Sequence, residues 1–184
     1  MSTLKVDTIL KRTGTGTITV GQSGDTISVP TGATLSVSGT TSGLPDNTPA
    51  FMGYSSANQT IANDTDTKLT IGTEVFDTDS AFASSTFTVP SGKAGKYFFG
   101  GQCRISTLND QSTIQLMVFK NGSNLDRSKT KILSSASSSM AITVMLMEDC
   151  SAGDTFELYV YQDAGSETAN SGHTTFYGYR LGGV

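Results

Sequence analysis

Several things are scarce in these 184 residues: there is no Trp, and there are 4 Pro, 2 Cys, one His and only 15% Asp, Glu, Lys and Arg. The single histidine, His173, excludes a multi-histidine metal centre, and it sits in a polar stretch that reads as an exposed loop. Cys103 and Cys150 lie far apart without CxxC spacing, so with one His they fall short of the usual four zinc ligands. Both lie in apolar strand-like segments and are expected as buried, reduced thiols. The helix formers Glu, Lys, Leu and Ala are too sparse for a helix bundle. No apolar run approaches the roughly 20 residues of a membrane span. The start Met1-Ser2-Thr3-Leu4-Lys5-Val6-Asp7 lacks the apolar stretch of a secretory signal, so a product made and assembled in a cytosol is the expectation. A formal net charge of -4 repels nucleic acid.

What the chain does have is Ser, Thr, Asn and Gly to wet a surface, with Thr, Val, Ile, Tyr and Phe to build strands. The fold class is all-β. Beyond residue 50 the apolar segments are Phe51 to Tyr54, Leu69 to Ile71, Val75-Phe76, Thr86 to Val89, Lys96 to Ile105, Thr113 to Lys120, Met140 to Met147, Thr155 to Gln162 and Thr174 to Leu181. About nine or ten strands at this density indicate a sandwich. Lys120-Asn121-Gly122-Ser123 carries the Asn-Gly pair that favours positive φ and is the best hairpin turn in the sequence. The Gly/Pro/Ser stretch 40 to 49 separates an N-terminal arm and stem, 1–45, from a head, 46–184.

The arm contains a repeat. Gly16-Thr17-Ile18-Thr19-Val20, Asp25-Thr26-Ile27-Ser28-Val29 and Ala33-Thr34-Leu35-Ser36-Val37 follow one another at spacings of nine and eight. Each unit alternates apolar and hydroxyl residues, and corners at Gly21 to Gly24 and Pro30 to Gly32 separate them, as in turns of a β-solenoid. The packing candidates are Ile18, Val20, Ile27, Val29, Leu35 and Val37. So few apolar side chains in one copy do not offset the backbone entropy of ordering the segment, so the stem is expected to intertwine with identical copies or lie on another protein. Leu4, Val6 and Ile9 are apolar anchors of a docking arm at a terminus that would otherwise fray.

Two resemblances follow from these residues. Ser2 to Ile9 followed by Thr15 to Gly21 resembles the opening of virion structural proteins of marine tailed phages, cyanophages in particular. In the head, Phe51, Glu74-Val75-Phe76-Asp77, Phe87 to Pro90, Gly95 to Phe99, Ala152 to Thr155 and Phe176 to Leu181 together resemble the globular head domain of complement one-q and the tumour necrosis factor superfamily. That resemblance implies a ten-stranded jelly roll assembled as a homotrimer about an aromatic axis. No Gly-X-Y run precedes the head, so the short repeat would serve as the stem. Aromatics at alternate and adjacent positions require cover on both faces, and Tyr97, Phe99, Tyr159, Tyr161, Tyr177 and Tyr179 are the candidates for the threefold contact, with the parity of each left open.

The carboxylate pairs Asp64/Asp66 and Asp77/Asp79 have the two-residue spacing some calcium loops use, yet no Glu follows at EF-hand spacing, so solvated turn carboxylates are the better account. No cofactor is expected; calcium stays open because members of the resembled family bind it. Gly14-Thr15-Gly16 and Gly100-Gly101 open no helix and carry no P-loop lysine, so they read as backbone corners. The sequence therefore points to a non-enzymatic homotrimer on a virion surface, either a tail fibre that binds host glycan or protein, or a capsid decoration protein held by other virion proteins through the arm. A polysaccharide-degrading virion enzyme using Asp64, Asp66, Asp77, Asp79 or Glu74, and a secreted carbohydrate-binding or signalling ligand, are the alternatives from other classes.

Overall fold

In the computed structural model, the described residues are 9, 16–38, 47–135 and 138–182. The chain divides into two compact units, Met1–Ser42 and Gly43–Val184.

In the first unit, the two corners of the repeat are built as the sequence demands. Asp25 N–H donates to Gln22 C=O at 3.0 Å and Ala33 N–H to Pro30 C=O at 3.0 Å. Gly24 at φ 93° and Gly32 at φ 86° occupy the third position of each turn, where a type II turn requires positive φ. Between the corners, 16–38 carries no paired strand, and Ile18, Val20, Ile27, Val29, Leu35 and Val37 are 45–68% exposed. Among the described residues of one chain these side chains therefore stay largely uncovered. Ile9 is exposed too, while Leu4 and Val6 lie outside the described residues.

The second unit is built of strands: β1 (Ala50–Tyr54), β2 (Gln59–Ile61), β3 (Thr67–Lys68), β4 (Thr73–Asp77), β5 (Phe82–Ala83), β6 (Thr86–Thr88), β7 (Gly95–Leu108), β8 (Thr113–Lys120), β9 (Ser123–Asn124), β10 (Thr130–Leu133), β11 (Ser138–Cys150), β12 (Thr155–Gln162), β13 (Glu167–Ala169) and β14 (Thr175–Arg180). A 3₁₀ turn at Asp126–Ser128 interrupts them. They form two antiparallel sheets. In the first, β4, β1, β14, β7 and β11 lie side by side, with β13 and β2 continuing beside the far half of β7. The second runs β10, β8, β12, β6, β5, with β3 beside β12 and β9 beside β8. Successive long strands cross from one sheet to the other, which is the winding of a jelly roll.

Alternation explains which side chains fill the space between the sheets. Along β12, Phe156, Leu158, Val160 and Gln162 are buried and the residues between them face outward. Phe51 stacks on Phe82 and Phe87 at 4.7 Å each, and Phe99 stacks on Phe156 at 4.2 Å. Such pairs add about 0.5–1.5 kcal/mol each to their burial. Gly178 makes this packing possible: a Cβ there would lie 2.6 Å from Phe99 and 2.9 Å from Phe51. The buried Gln162 amide is satisfied by donating to the carbonyls of Ile61 and Ala62, both at 3.0 Å, and accepting from Ala164 N–H at 2.6 Å.

The hairpin at 120–123 forms as expected. Asn121 at φ 52° and Gly122 at φ 75° join Lys120 to its partner Ser123. One expected strand is displaced: the ladder holds Thr67–Lys68, and only the N–H of Leu69 continues it, to Leu158 C=O at 2.9 Å. Ile71 N–H is taken instead by the Ser85 hydroxyl at 2.8 Å. The short strands β2, β10 and β13 fall between the apolar segments of the sequence, because backbone pairing needs no apolar pattern where a neighbouring strand offers an edge.

Candidate functional site

Paired residues in adjacent strands share a face, so the ladder registers define the outer surface of the first sheet. One row crosses Phe76, Met52, Tyr177, Gly100 and Met145; the next crosses Ala50, Tyr179, Phe98 and Met147. Phe76 is 47% exposed, Met145 68%, Met147 70% and Tyr179 38%. The Phe98 ring lies 5.5 Å from that of Tyr179 and 6.4 Å from that of Tyr177. Gly100 provides the floor for Tyr177, since a Cβ there would stand 2.4 Å from the phenol ring. Beside β1, a cleft of about 310 Å³ opens between Met52, Phe76, Tyr177 and Tyr179. Exposed Phe, Met and Tyr thus form a contiguous apolar surface across the outer face of this sheet.

The candidate contact residues do not converge. Tyr97 and Phe99 are wholly buried in the core, with the Tyr97 hydroxyl donating to Lys93 C=O at 2.7 Å. They are therefore removed from the contact: in Tyr97-Phe98-Phe99 the outward parity belongs to Phe98. Tyr177 and Tyr179 lie on the apolar face, whereas Tyr159 and Tyr161 lie on the outer face of the second sheet, on the opposite side of the sandwich. Met52, Phe76, Phe98, Met145 and Met147 were not among the contact candidates drawn from the sequence. The signal for the methionines was available: Val144 to Met147 is apolar at both parities, as in a strand covered on both sides.

The carboxylates behave as turn ligands. Asp77 accepts from Phe82 N–H at 2.8 Å, and Asp79 accepts from the Thr78 hydroxyl at 2.8 Å. Asp64 sits at φ 52° and accepts from Asn63 Nδ2 at 2.6 Å and from the Tyr161 hydroxyl at 2.8 Å. Glu74 is exposed on β4. Among the described residues no three His, Cys, Asp or Glu side chains gather to hold a metal ion. His173 is exposed in the turn before β14, as its sequence setting implied. Cys103 and Cys150 are free and buried, and burial pushes both thiols up to about 12.

Charge is organised at two points. Lys120 Nζ lies 3.0 Å from Asp154 and 3.2 Å from Glu148, which also pairs with Arg127. Burial opposes the charges, but the bonds to Asp154 and Glu148 outweigh it and hold the ammonium above its ordinary range, while hydrogen bonds from Asn121 Nδ2 at 2.8 Å and Ser151 N–H at 2.9 Å, with Lys120, hold the Asp154 carboxyl below its own. On the second sheet Lys68 Nζ meets Glu157 at 2.7 Å and the Thr86 hydroxyl donates to it at 2.9 Å; these partners overcome burial and hold Glu157 low.

No protein-family model and no curated protein matches the sequence. Among solved structures, the chain is similar to the globular domain of the zebrafish complement 1qA protein, with a TM-score of 0.53 and 16% identity over 72% of this chain and 97% of that one. The likeness carries the fold alone, and it agrees with the strand order and winding described above: the head is an all-β jelly roll of the kind seen in that globular domain.

Proposed function

We propose that the chain is a non-enzymatic homotrimeric component of a virion surface, a tail fibre or capsid decoration protein, in which the N-terminal segment attaches to other virion proteins and the head is displayed. The observation that carries the trimer is the apolar outer face of the first sheet. Each Phe or Met side chain withdrawn there gains about 1.5–3 kcal/mol, and several together offset the cost of association. The exposed apolar pairs of 16–38 supply a second surface that copies of the chain would share as an intertwined stem. The virion assignment rests on the opening segment's resemblance to phage structural proteins, and assembly in a host cytoplasm goes with it. No ion or cofactor is needed for this role.

Sedimentation of the purified chain tests the trimer: a particle of three 19.2 kDa chains is expected, and a single-chain mass overturns it. Cryo-electron microscopy of the particle tests the rest. Density at the tail identifies a fibre, density at capsid threefold positions a decoration protein, and absence from the particle removes the virion role.

A further inference from the structure

The outer face of the second sheet differs in kind from that of the first. It carries the remaining aromatics, Phe119, Tyr159 and Tyr161, set among charged and amide side chains. Phe119 and Tyr159 stack at 3.8 Å with an interplanar angle of 18°, and Met117, the register partner of Tyr159, is 1% exposed. The Tyr161 hydroxyl donates to Asp64 Oδ1 at 2.8 Å, and the Tyr159 hydroxyl reaches Glu157 Oε2 at 3.4 Å. Lys68 and Thr86 fix Glu157 from the other side, and the positive φ of Asp64 fixes that carboxylate at a tight turn. Two immobilised carboxylates thus flank the aromatic stripe, each with lone pairs to offer beyond its present bonds.

Such a surface has a chemical complement. Aromatic faces take up the C–H face of a pyranose ring, while carboxylates accept hydrogens from its hydroxyls. Tyr159 and Tyr161 alternate along β12, about 7 Å apart, so successive rings of one chain can rest on them. Asp64, Asp66 and Asp163 all act on the Tyr161 phenol electrostatically, which disfavours an anionic sugar. The Phe119 and Tyr159 rings are in face-to-face contact at 3.8 Å, which leaves no space between them for an organic cation of the kind an aromatic cage holds.

We propose that this face is a stacking platform for a neutral oligosaccharide, with Tyr159 and Tyr161 beneath the sugar rings and Glu157 and Asp64 accepting their hydroxyl hydrogens. The proposal rests on the reading of the head as a displayed, receptor-binding module and assigns its ligand class and location.

Calorimetric titration of the full chain with neutral hexose tetrasaccharides, preceded by an array that also contains sialylated and uronic oligosaccharides, tests it. Binding of a neutral tetrasaccharide is expected, weakened about tenfold or more by Tyr161→Ala and by Glu157→Gln, retained by Tyr161→Phe, and unchanged by His173→Ala in the loop before β14. Sedimentation checks that each variant keeps the wild-type assembly; Tyr161→Ala leaves the Phe119–Tyr159 stack in place and so tests the platform without removing its support. Three results overturn the proposal: no neutral sugar bound at about 10 mM, binding indifferent to Tyr161→Ala and Glu157→Gln, or binding confined to anionic sugars or choline. Any of them in a trimer that still sits on the particle sinks the platform alone. A monomer, or absence from the particle, sinks the reading beneath it.

Discussion

The arm at 16–38 and strand β12 are composed alike, with hydroxyl or polar residues alternating with Ile, Leu, Val or aromatics, yet their fates in one chain are opposite. In β12, Phe156, Leu158 and Val160 are fully buried between two sheets and every neighbouring strand offers a ladder. In the arm, the same alternation leaves Ile27 67% and Leu35 68% exposed, although its corners form. The difference teaches that alternation specifies a face while long-range partners decide whether that face is covered. The head closes on itself; in the arm the described apolar side chains stay exposed.

The sharpest way to widen that contrast is to compare truncations on the two sides of it. Phe99→Ala is expected to cost the head about 3–5 kcal/mol in denaturant unfolding, whereas Leu35→Ala is expected to shift the same transition by less than about 0.5 kcal/mol. Equal effects would show that the arm is part of the head's folding unit. Within the head the two outer faces differ in the same way. Met145→Asp with Met147→Asp is expected to convert the trimer to monomers in sedimentation while circular dichroism stays that of a folded β protein; a stable trimer would remove the first sheet's outer face from the contact. A smaller effect is expected from Gly100→Ala, about 1–3 kcal/mol, because the added Cβ must displace the Tyr177 ring from that face.

The smallest effect is on pH. Asp154 and Glu157 are held below their ordinary range when folded, so their contribution is complete above the unfolded carboxylate range near pH 4 and is lost as pH falls through the folded values. Lys120, held above its ordinary range, contributes below about pH 10 and loses that contribution as pH rises further. Glu167, pushed up by burial, acts in the opposite sense to the other carboxylates and offsets part of the acid loss. Thermal melts between these limits should be flat; a slope at neutral pH would show that other groups dominate.

Much of this arrangement was legible in the residues, for identifiable reasons. Asn121-Gly122 allows the tight hairpin it makes, the Thr155 to Gln162 alternation matches its burial residue by residue, and the arm's glycines mark its turns. Tyr97-Phe98-Phe99 was not legible in the same way. Three consecutive aromatics satisfy either parity, and only the opposing sheet, through Phe87 and Phe156, draws Tyr97 and Phe99 inward. The apolar face was partly hidden because its members come from β1, β4, β7, β11 and β14, strands remote in sequence whose registers bring single residues together. Tyr159 and Tyr161 are expected from the sequence at the threefold contact with Tyr177 and Tyr179, but their sheet, and so their side of the molecule, is a property of topology.

Because Cys103 and Cys150 are both enclosed and hold their protons up to about 12, the native thiols stay silent toward alkylating reagents at neutral pH. A cysteine placed at His173 would then be the sole reactive handle per subunit. One fluorophore attached there would report the number of copies in whatever assembly the head forms, without any removal of the chain's own sulfur.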